Sequence, residues 1–216
     1  MVRHRTGVAT ATQLMCNAMR PWYRLCYKFI EAIKLGYYQT RVEGFENVPA
    51  GGCLVVSNHA SFLDPTTVGW ALQRECFFLA RKTLFKPPVM SRLLPICNVV
   101  PIDQDNADLP SMRRVIRLMK DDGYPVILFP EGTRTEDGEL KKALPGAAFL
   151  ACKAGVPILP VRLFGSFEAW PRQRKLPGYH PMRVVIGRPF MPAKARSKQD
   201  YEVLADRMMK EIGALK

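Results

Sequence analysis

The sequence has no run of about 18 consecutive apolar residues, so no membrane-spanning helix is expected. Its first residues, Met1–Met19, carry basic charges, but Thr, Gln and Asn interrupt any apolar core, and no cleaved secretory signal is expected there. Metal ligands are scarce. There are only three histidines (His4, His59 and His180), and the six cysteines at 16, 26, 53, 76, 97 and 152 include no pair closer than ten residues. With no CxxC and no zinc-ribbon spacing, free thiols in a reducing compartment are expected rather than a disulfide or metal framework. No GxSxG segment occurs, which removes the exposed-serine elbow of the hydrolases, and no GK[ST] triplet occurs, which removes the P-loop. Internal repeats and low-complexity segments are also missing.

Acids are few as well: 19 against 32 Lys plus Arg, a net charge of +13 and a sequence pI near 9.7. Such an excess points to anionic partners: nucleic acid, an acidic carrier protein, a phosphate substrate or an anionic membrane. The basic residues are spread from Arg3 to Lys216 without a recognition motif, so nucleic acid is not expected as a partner. What is present suits one well-buried core. The chain has 216 residues, 48% of them hydrophobic and 24% charged, too short for two comfortable domains.

From Pro21 to Tyr38 the chain has helical periodicity, with Trp22, Cys26, Phe29 or Ile30, Ile33 and Tyr37 on one stripe and Arg24, Lys28, Glu31 and Lys34 between them. Such a helix either packs on a core or lies in a membrane interface with its aromatics at headgroup depth. After Gly44, short apolar runs alternate with helical patterns. Strands are expected at Cys53–Ser57, Cys76–Ala80, Asn98–Ile102, Val126–Phe129, Ile158–Leu163 and Arg183–Ile186. Helices are expected at Pro65–Gln73, Val89–Leu94, Pro110–Asp122, Gly146–Lys153 and Lys198–Leu215, the last opened by Ser197 and Asp200. This alternation implies an α/β fold: a single domain with a mostly parallel central sheet flanked by helices, preceded by the amphipathic helical segment. The boundary is expected at residues 40–50, giving an N-terminal docking segment, 1–43, and an α/β body, 44–216.

Ligands of open α/β folds collect beyond the carboxyl ends of the strands, and two polar segments fall there. Asn58-His59-Ala60-Ser61-Phe62-Leu63-Asp64-Pro65 follows the strand at Cys53–Ser57. A neutral imidazole can take a hydroxyl proton near pH 7 when a carboxylate holds its other nitrogen, so His59 with Asp64 is a candidate base pair. The alternative is that Asp64 merely caps the following helix. Phe129-Pro130-Glu131-Gly132-Thr133-Arg134-Thr135 follows the strand at Val126–Phe129 and holds the parts of an anion site: a glycine turn, two hydroxyls and a guanidinium fork.

Together these segments resemble the glycerolipid acyltransferase family. Asn58–Asp64 is similar to its NHxxxxD box, Phe129–Thr135 to its phosphate-binding box, and Val156-Pro157-Ile158-Leu159-Pro160-Val161 to its hydrophobic box, with the family's spacing of 72 residues between His59 and Glu131. The likeness runs over roughly residues 45–165. There are departures. Gln104 follows Val100-Pro101-Ile102-Asp103 where the family commonly has Arg, and Leu144-Pro145 precede Gly146-Ala147 where it often has Phe-Lys; Lys141, Lys142 and Arg134 are the nearby charges that could compensate.

The resemblance implies transfer of an acyl group from a coenzyme A or acyl-carrier-protein thioester to a glycerolipid hydroxyl, without a covalent enzyme intermediate. The short single-domain length suits 1-acylglycerol 3-phosphate as acceptor; another lysolipid or hydroxyl acceptor, or hydrolysis of the thioester, are the alternatives. It implies His59 as base, Asp64 as its partner, and Asn58, Gln104, Glu131, Gly132, Thr133 and Arg134 as substrate-binding residues. No metal or other cofactor is implied beyond the acyl donor. Burying each CH₂ is worth about 0.8 kcal/mol, so an acceptor with a chain of about 16 carbons stays in the bilayer and the enzyme must come to it. That tips the amphipathic helix toward membrane docking, on an anionic surface at the cytoplasmic face.

Overall fold

The computed structural model describes residues 19–103 and 109–216. Seven strands form one sheet: β1 Arg41–Glu43, β2 Cys53–Ser57, β3 Phe77–Arg81, β4 Val99–Ile102, β5 Pro125–Leu128, β6 Ile158–Phe164 and β7 Arg183–Ile186, in the order β1-β7-β6-β2-β5-β3-β4. All neighbours are parallel except β6 and β7. β2 is central and its five residues are all buried, which explains why CLVVS has no polar alternation.

Because successive side chains leave opposite faces of a strand, β2 feeds two cores. Leu54 and Val56 join Val126 and Ile158 beneath helices α4 (Leu109–Lys120), α5 (Gly146–Ala154) and α7 (Lys198–Ala214). Cys53 and Val55 join Ile127, Leu159 and Val161 beneath α1 (Pro21–Ala32) and α2 (Asp64–Ala71). Helices α3 (Pro88–Ile96) and α6 (Ser166–Ala169) complete the set. The start of α7 carries the expected capping box of Ser197 and Asp200.

The sheet brings the two polar segments together. β2 pairs with β5 in parallel, Val56 opposite Leu128, so the loops after both strands leave the same edge side by side. Residues 72 apart in sequence thereby become neighbours.

The N-terminal helix differs from its sequence pattern. α1 ends at Ala32 and the chain widens into a π-turn, Ile33–Tyr37. Tyr27, Lys34 and Tyr38 point inward and are buried, while Trp22, Leu25, Phe29 and Ile33 face out, Phe29 with 69% of its surface exposed. The stripe read from spacing is therefore mostly the outer face, and Lys34, expected among the solvated charges, is only 2% exposed. The register shifted because Tyr23, Tyr27 and Ile30, also apolar, fit the sheet better. Tyr27 donates a hydrogen bond to the Trp70 carbonyl at 3.2 Å, tying α1 to the end of α2. The chain turns from it into β1, a strand with no apolar run of its own, which pairs with β7 at the sheet edge.

Candidate active site

His59 sits in the loop between β2 and α2. Its Nδ1 lies 2.9 Å from Oδ2 of Asp64, the first residue of α2. That one oxygen also accepts the backbone N–H groups of Ala60 (2.6 Å) and Ser61 (2.7 Å), so the loop wraps around the carboxylate. Asp64 is 0% exposed. The five-residue spacing thus closes through a loop, and the Asp64 side chain makes no capping bond to α2: Leu63 is the N-cap, and the carboxylate turns back to the loop before it. An anionic carboxylate on Nδ1 requires that nitrogen to donate, leaving Nε2 as the acceptor. The ring stacks on Phe129 at 4.1 Å between centroids and lines a groove of about 440 Å³. Ser61 is buried with its hydroxyl donated to the Trp170 carbonyl, so it is not presented as a nucleophile.

Glu131 and Asn58 lie beside the groove but face inward. The Glu131 carboxylate accepts the His59 N–H at 3.0 Å and the Lys141 N–H at 3.4 Å. Burial raises its pKa to about 7, the nearby Asp64 charge adding to the effect and the N–H donors opposing it. Thr135 closes the same seam by donating its N–H to the His59 carbonyl at 2.8 Å. The Asn58 amide donates to the Leu163 carbonyl and accepts the Leu163 N–H, at 3.1 and 2.8 Å. Both side chains, expected to bind substrate, have polar atoms paired with backbone groups, and these bonds hold the loops in register.

Gly132, Thr133 and Arg134 do line the groove. Gly132 has φ +70° in its turn, the left-handed region that a glycine enters freely. The Arg134 guanidinium lies 3.4 Å from the Phe62 ring centroid, with its Nη1 buried and unpaired among the described residues. Its pKa is lowered by burial first and by Arg172 second. Gln104 lies outside the described residues. Of the three charges named for compensation, Arg134 lines the groove, Lys142 is exposed outside it, and Lys141 turns its Nζ to the Arg134 carbonyl. Arg81 and Arg172 line the groove as well, Arg81 donating to the Gly132 carbonyl at 3.0 Å. Sequence reasoning passed over both. Arg81 had a signal, since it ends a strand at the edge where ligands gather; Arg172, in an irregular loop, had none. The groove can therefore receive an anion beside a base. Among the described residues no His, Cys, Asp or Glu cluster could hold a metal ion.

Residues 39–163 match the Acyltransferase family. A chloroplastic 1-acyl-sn-glycerol-3-phosphate acyltransferase of Brassica napus is 34% identical over 164 residues, 74% of this chain and 47% of that protein. The chain thus spans about half the length of that plant relative. The protein of the same name from Bacillus subtilis is 28% identical over 86% of this chain and 94% of its own. The crystal structure of the 1-acyl-sn-glycerophosphate acyltransferase of Thermotoga maritima superposes with a TM-score of 0.67 at 25% identity, covering 96% of this chain and 89% of that one.

The Glu131 environment makes a stability prediction. A folded pKa near 7, above the ordinary 4.5, means that the folded protein holds this proton more tightly. The contribution is full below the unfolded value and is lost as pH rises through the folded one. Thermal unfolding followed by circular dichroism should show wild-type stability falling more steeply between pH 4.5 and about 7 than that of Glu131→Gln. Parallel curves would place the carboxylate in water.

Proposed function

The chain belongs to the acyltransferase family, and from that premise we propose that it transfers a fatty acyl group from an acyl-CoA or acyl-carrier-protein thioester to the free hydroxyl of 1-acylglycerol 3-phosphate, giving phosphatidic acid. The observation that carries this reading is the His59–Asp64 pair opening onto a groove with three arginines, Arg81, Arg134 and Arg172. His59 Nε2 takes the proton of the acceptor hydroxyl, whose oxygen attacks the thioester carbonyl carbon. Asp64 stabilises the imidazolium, the carbon–sulfur bond breaks, and the proton passes from Nε2 to the leaving thiolate. Arg134, with Arg81 and Arg172, holds the acceptor phosphate, and Gly132 and Thr133 shape the turn that carries Arg134. Hydrolysis of the thioester by water would need no such clamp. Other phosphate-bearing or lysolipid acceptors remain distinct readings, and a panel separates them: glycerol 3-phosphate, lysophosphatidate and larger-headgroup lysophospholipids, each with one acyl-CoA. Lysophosphatidate is expected to give the highest kcat/KM; thiol release independent of any acceptor would instead make the protein a thioesterase.

The reading also places the protein on the membrane, peripherally and at the cytoplasmic face. No helix among the described residues is long and apolar enough to cross a membrane. Trp22, Leu25 and Phe29 are exposed on α1, and Val89, Leu93 and Ile96 on α3. The two helices meet across a small apolar cavity lined by Trp22, Cys26, Ile96 and Cys97. Arg24 and Lys28 stand exposed beside that face, each basic residue contributing about 1 kcal/mol near anionic lipid.

Three outcomes test this. His59→Ala should fold, since the ring lies on a loop, and lose about 10²–10⁴-fold in kcat, the usual share of a general base. Activity within a few-fold of wild type would remove His59 from the reaction. Arg134→Ala should raise the acceptor KM with the thioester KM held, as loss of a guanidinium fork on phosphate requires; a changed thioester KM with the acceptor KM held would reverse that assignment. Finally, Ser at Trp22, Leu25 and Phe29 together should abolish salt-sensitive binding to anionic vesicles and cut activity steeply on bilayer-embedded lysolipid. A short-chain acceptor, which reaches the site through water, should be turned over nearly as before. Equal loss on both acceptors with vesicle binding intact would assign docking to another surface.

A further inference from the structure

One charge near the catalytic pair has no place in the reaction just described. Lys34 lies in the π-turn after α1, and its side chain is 2% exposed. Its Nζ donates to the Thr67 hydroxyl at 2.6 Å and lies 5.2 Å from the Tyr38 ring centroid. Thr67 is one turn beyond Asp64 on α2, so the ammonium enters under the first turn of the helix that carries the catalytic carboxylate. A lysine is almost never buried so completely without a countercharge. The anion whose charge acts on Lys34 is Asp64, three residues before Thr67 and not in direct ion-pair contact with the ammonium. The other charged groups around that carboxylate are His59 on its own loop, and Glu131 and Arg134 from the loop after β5.

Asp64 has the complementary need. Oδ2 serves three donors, whereas Oδ1 is buried and accepts no hydrogen bond from the described residues. A fully buried carboxylate is stabilised by a nearby positive charge. We propose that Lys34 is a positioning residue for acyl transfer, the buried cation whose charge acts on Asp64 through the first turn of α2 and so helps hold its Oδ2 on His59 Nδ1. The kinetic arm of this inference rests on the acyl-transfer reading; the spectroscopic arm does not.

Burial lowers the pKa of Lys34 to about 8, with Asp64 opposing that shift, so its charge is present at pH 7 and lost in mildly alkaline solution. The His59 Nδ1 proton, hydrogen-bonded to Asp64, is read by proton NMR and assigned by its disappearance in His59→Ala. In the wild-type protein this resonance should move with a midpoint near pH 8. In Lys34→Met that step should vanish, and in Lys34→Arg, whose guanidinium stays protonated, the resonance should hold its neutral-pH position through the same range. Glu131→Gln, measured alongside, removes any step that belongs to that carboxyl. In kinetics, Lys34→Met should lower kcat about tenfold at pH 7, the equivalent of one pKa unit, with both KM values held. The deficit should close above about pH 9, where wild-type Lys34 is itself neutral.

A wild-type resonance that shows no step near pH 8 would overturn the inference, without any variant having to fold. So would a step that persists in Lys34→Met, or a kcat deficit constant at all pH, which is the mark of a merely structural residue. If the resonance behaves as stated and no acceptor is acylated, Lys34 keeps its role and the acyl-transfer reading falls. If acylation proceeds without the step, the reverse holds.

Discussion

The centre of the molecule is organised around one buried carboxylate. Asp64 Oδ2 takes the His59 ring nitrogen and two consecutive backbone N–H groups, so the loop between β2 and α2 has a single conformation that satisfies it. The bond fixes the imidazole tautomer and leaves Nε2 toward the groove. It also starts α2, because an acidic residue in the first turn meets the positive end of the helix. Replacing Asp64 disturbs both the loop and the start of an element that carries Val68, Trp70 and Ala71 into the core.

Around that carboxylate, charge is arranged in layers. Glu131, next door, does not contact the ring; it holds the His59 backbone N–H and is pushed toward the neutral form by burial. With its pKa raised to about 7, Glu131 is only partly charged at neutral pH and adds less than a full second anion behind the imidazole. On the open side the sign reverses. Arg81, Arg134 and Arg172 line the groove, and Arg172 lowers the pKa of Arg134 by repulsion. Each has a partner of its own, Arg81 on the Gly132 carbonyl, Arg172 3.8 Å from Glu136 and Arg134 over the Phe62 ring, yet the three still gather positive charge on one side of the groove. The net charge of +13 is spread over the whole chain, and in this groove three of its arginines gather at one place.

Much of this was legible in the sequence, for definite reasons. Strands such as Cys53–Ser57 and Ile158–Phe164 are covered on both faces and so read as plain apolar runs. The two polar segments stand out because they follow such runs directly, and parallel pairing of β2 with β5 then makes them neighbours. What stayed hidden depends on which partner a group meets. Arg41–Glu43 has no strand pattern because only the edge pairing with β7 makes it one. Asn58 and Glu131 look like ligand groups in sequence, and only the fold shows backbone atoms occupying them. Lys34 reads as one of the solvated charges between the apolar positions, yet it lies two helical turns after Tyr27 and so shares its inward face.

The register of α1 has a consequence for how surface and site are joined. A helix whose whole apolar stripe faced the sheet would have nothing left to offer a bilayer, and one lying wholly on the surface could not reach α2. By placing Tyr23, Tyr27 and Ile30 inward and Trp22, Leu25 and Phe29 outward, α1 has two apolar faces with exposed Arg24 and Lys28 beside them. The same continuous segment ends in the buried ammonium of Lys34 beneath Asp64. The apolar surface that suits a lipid and the charge that suits the catalytic pair are therefore parts of one element, held to the body by the Tyr27–Trp70 hydrogen bond and core packing. Displacing α1 would remove both at once. The helix thus packs on the α/β body through its inner face while its outer apolar surface stays exposed.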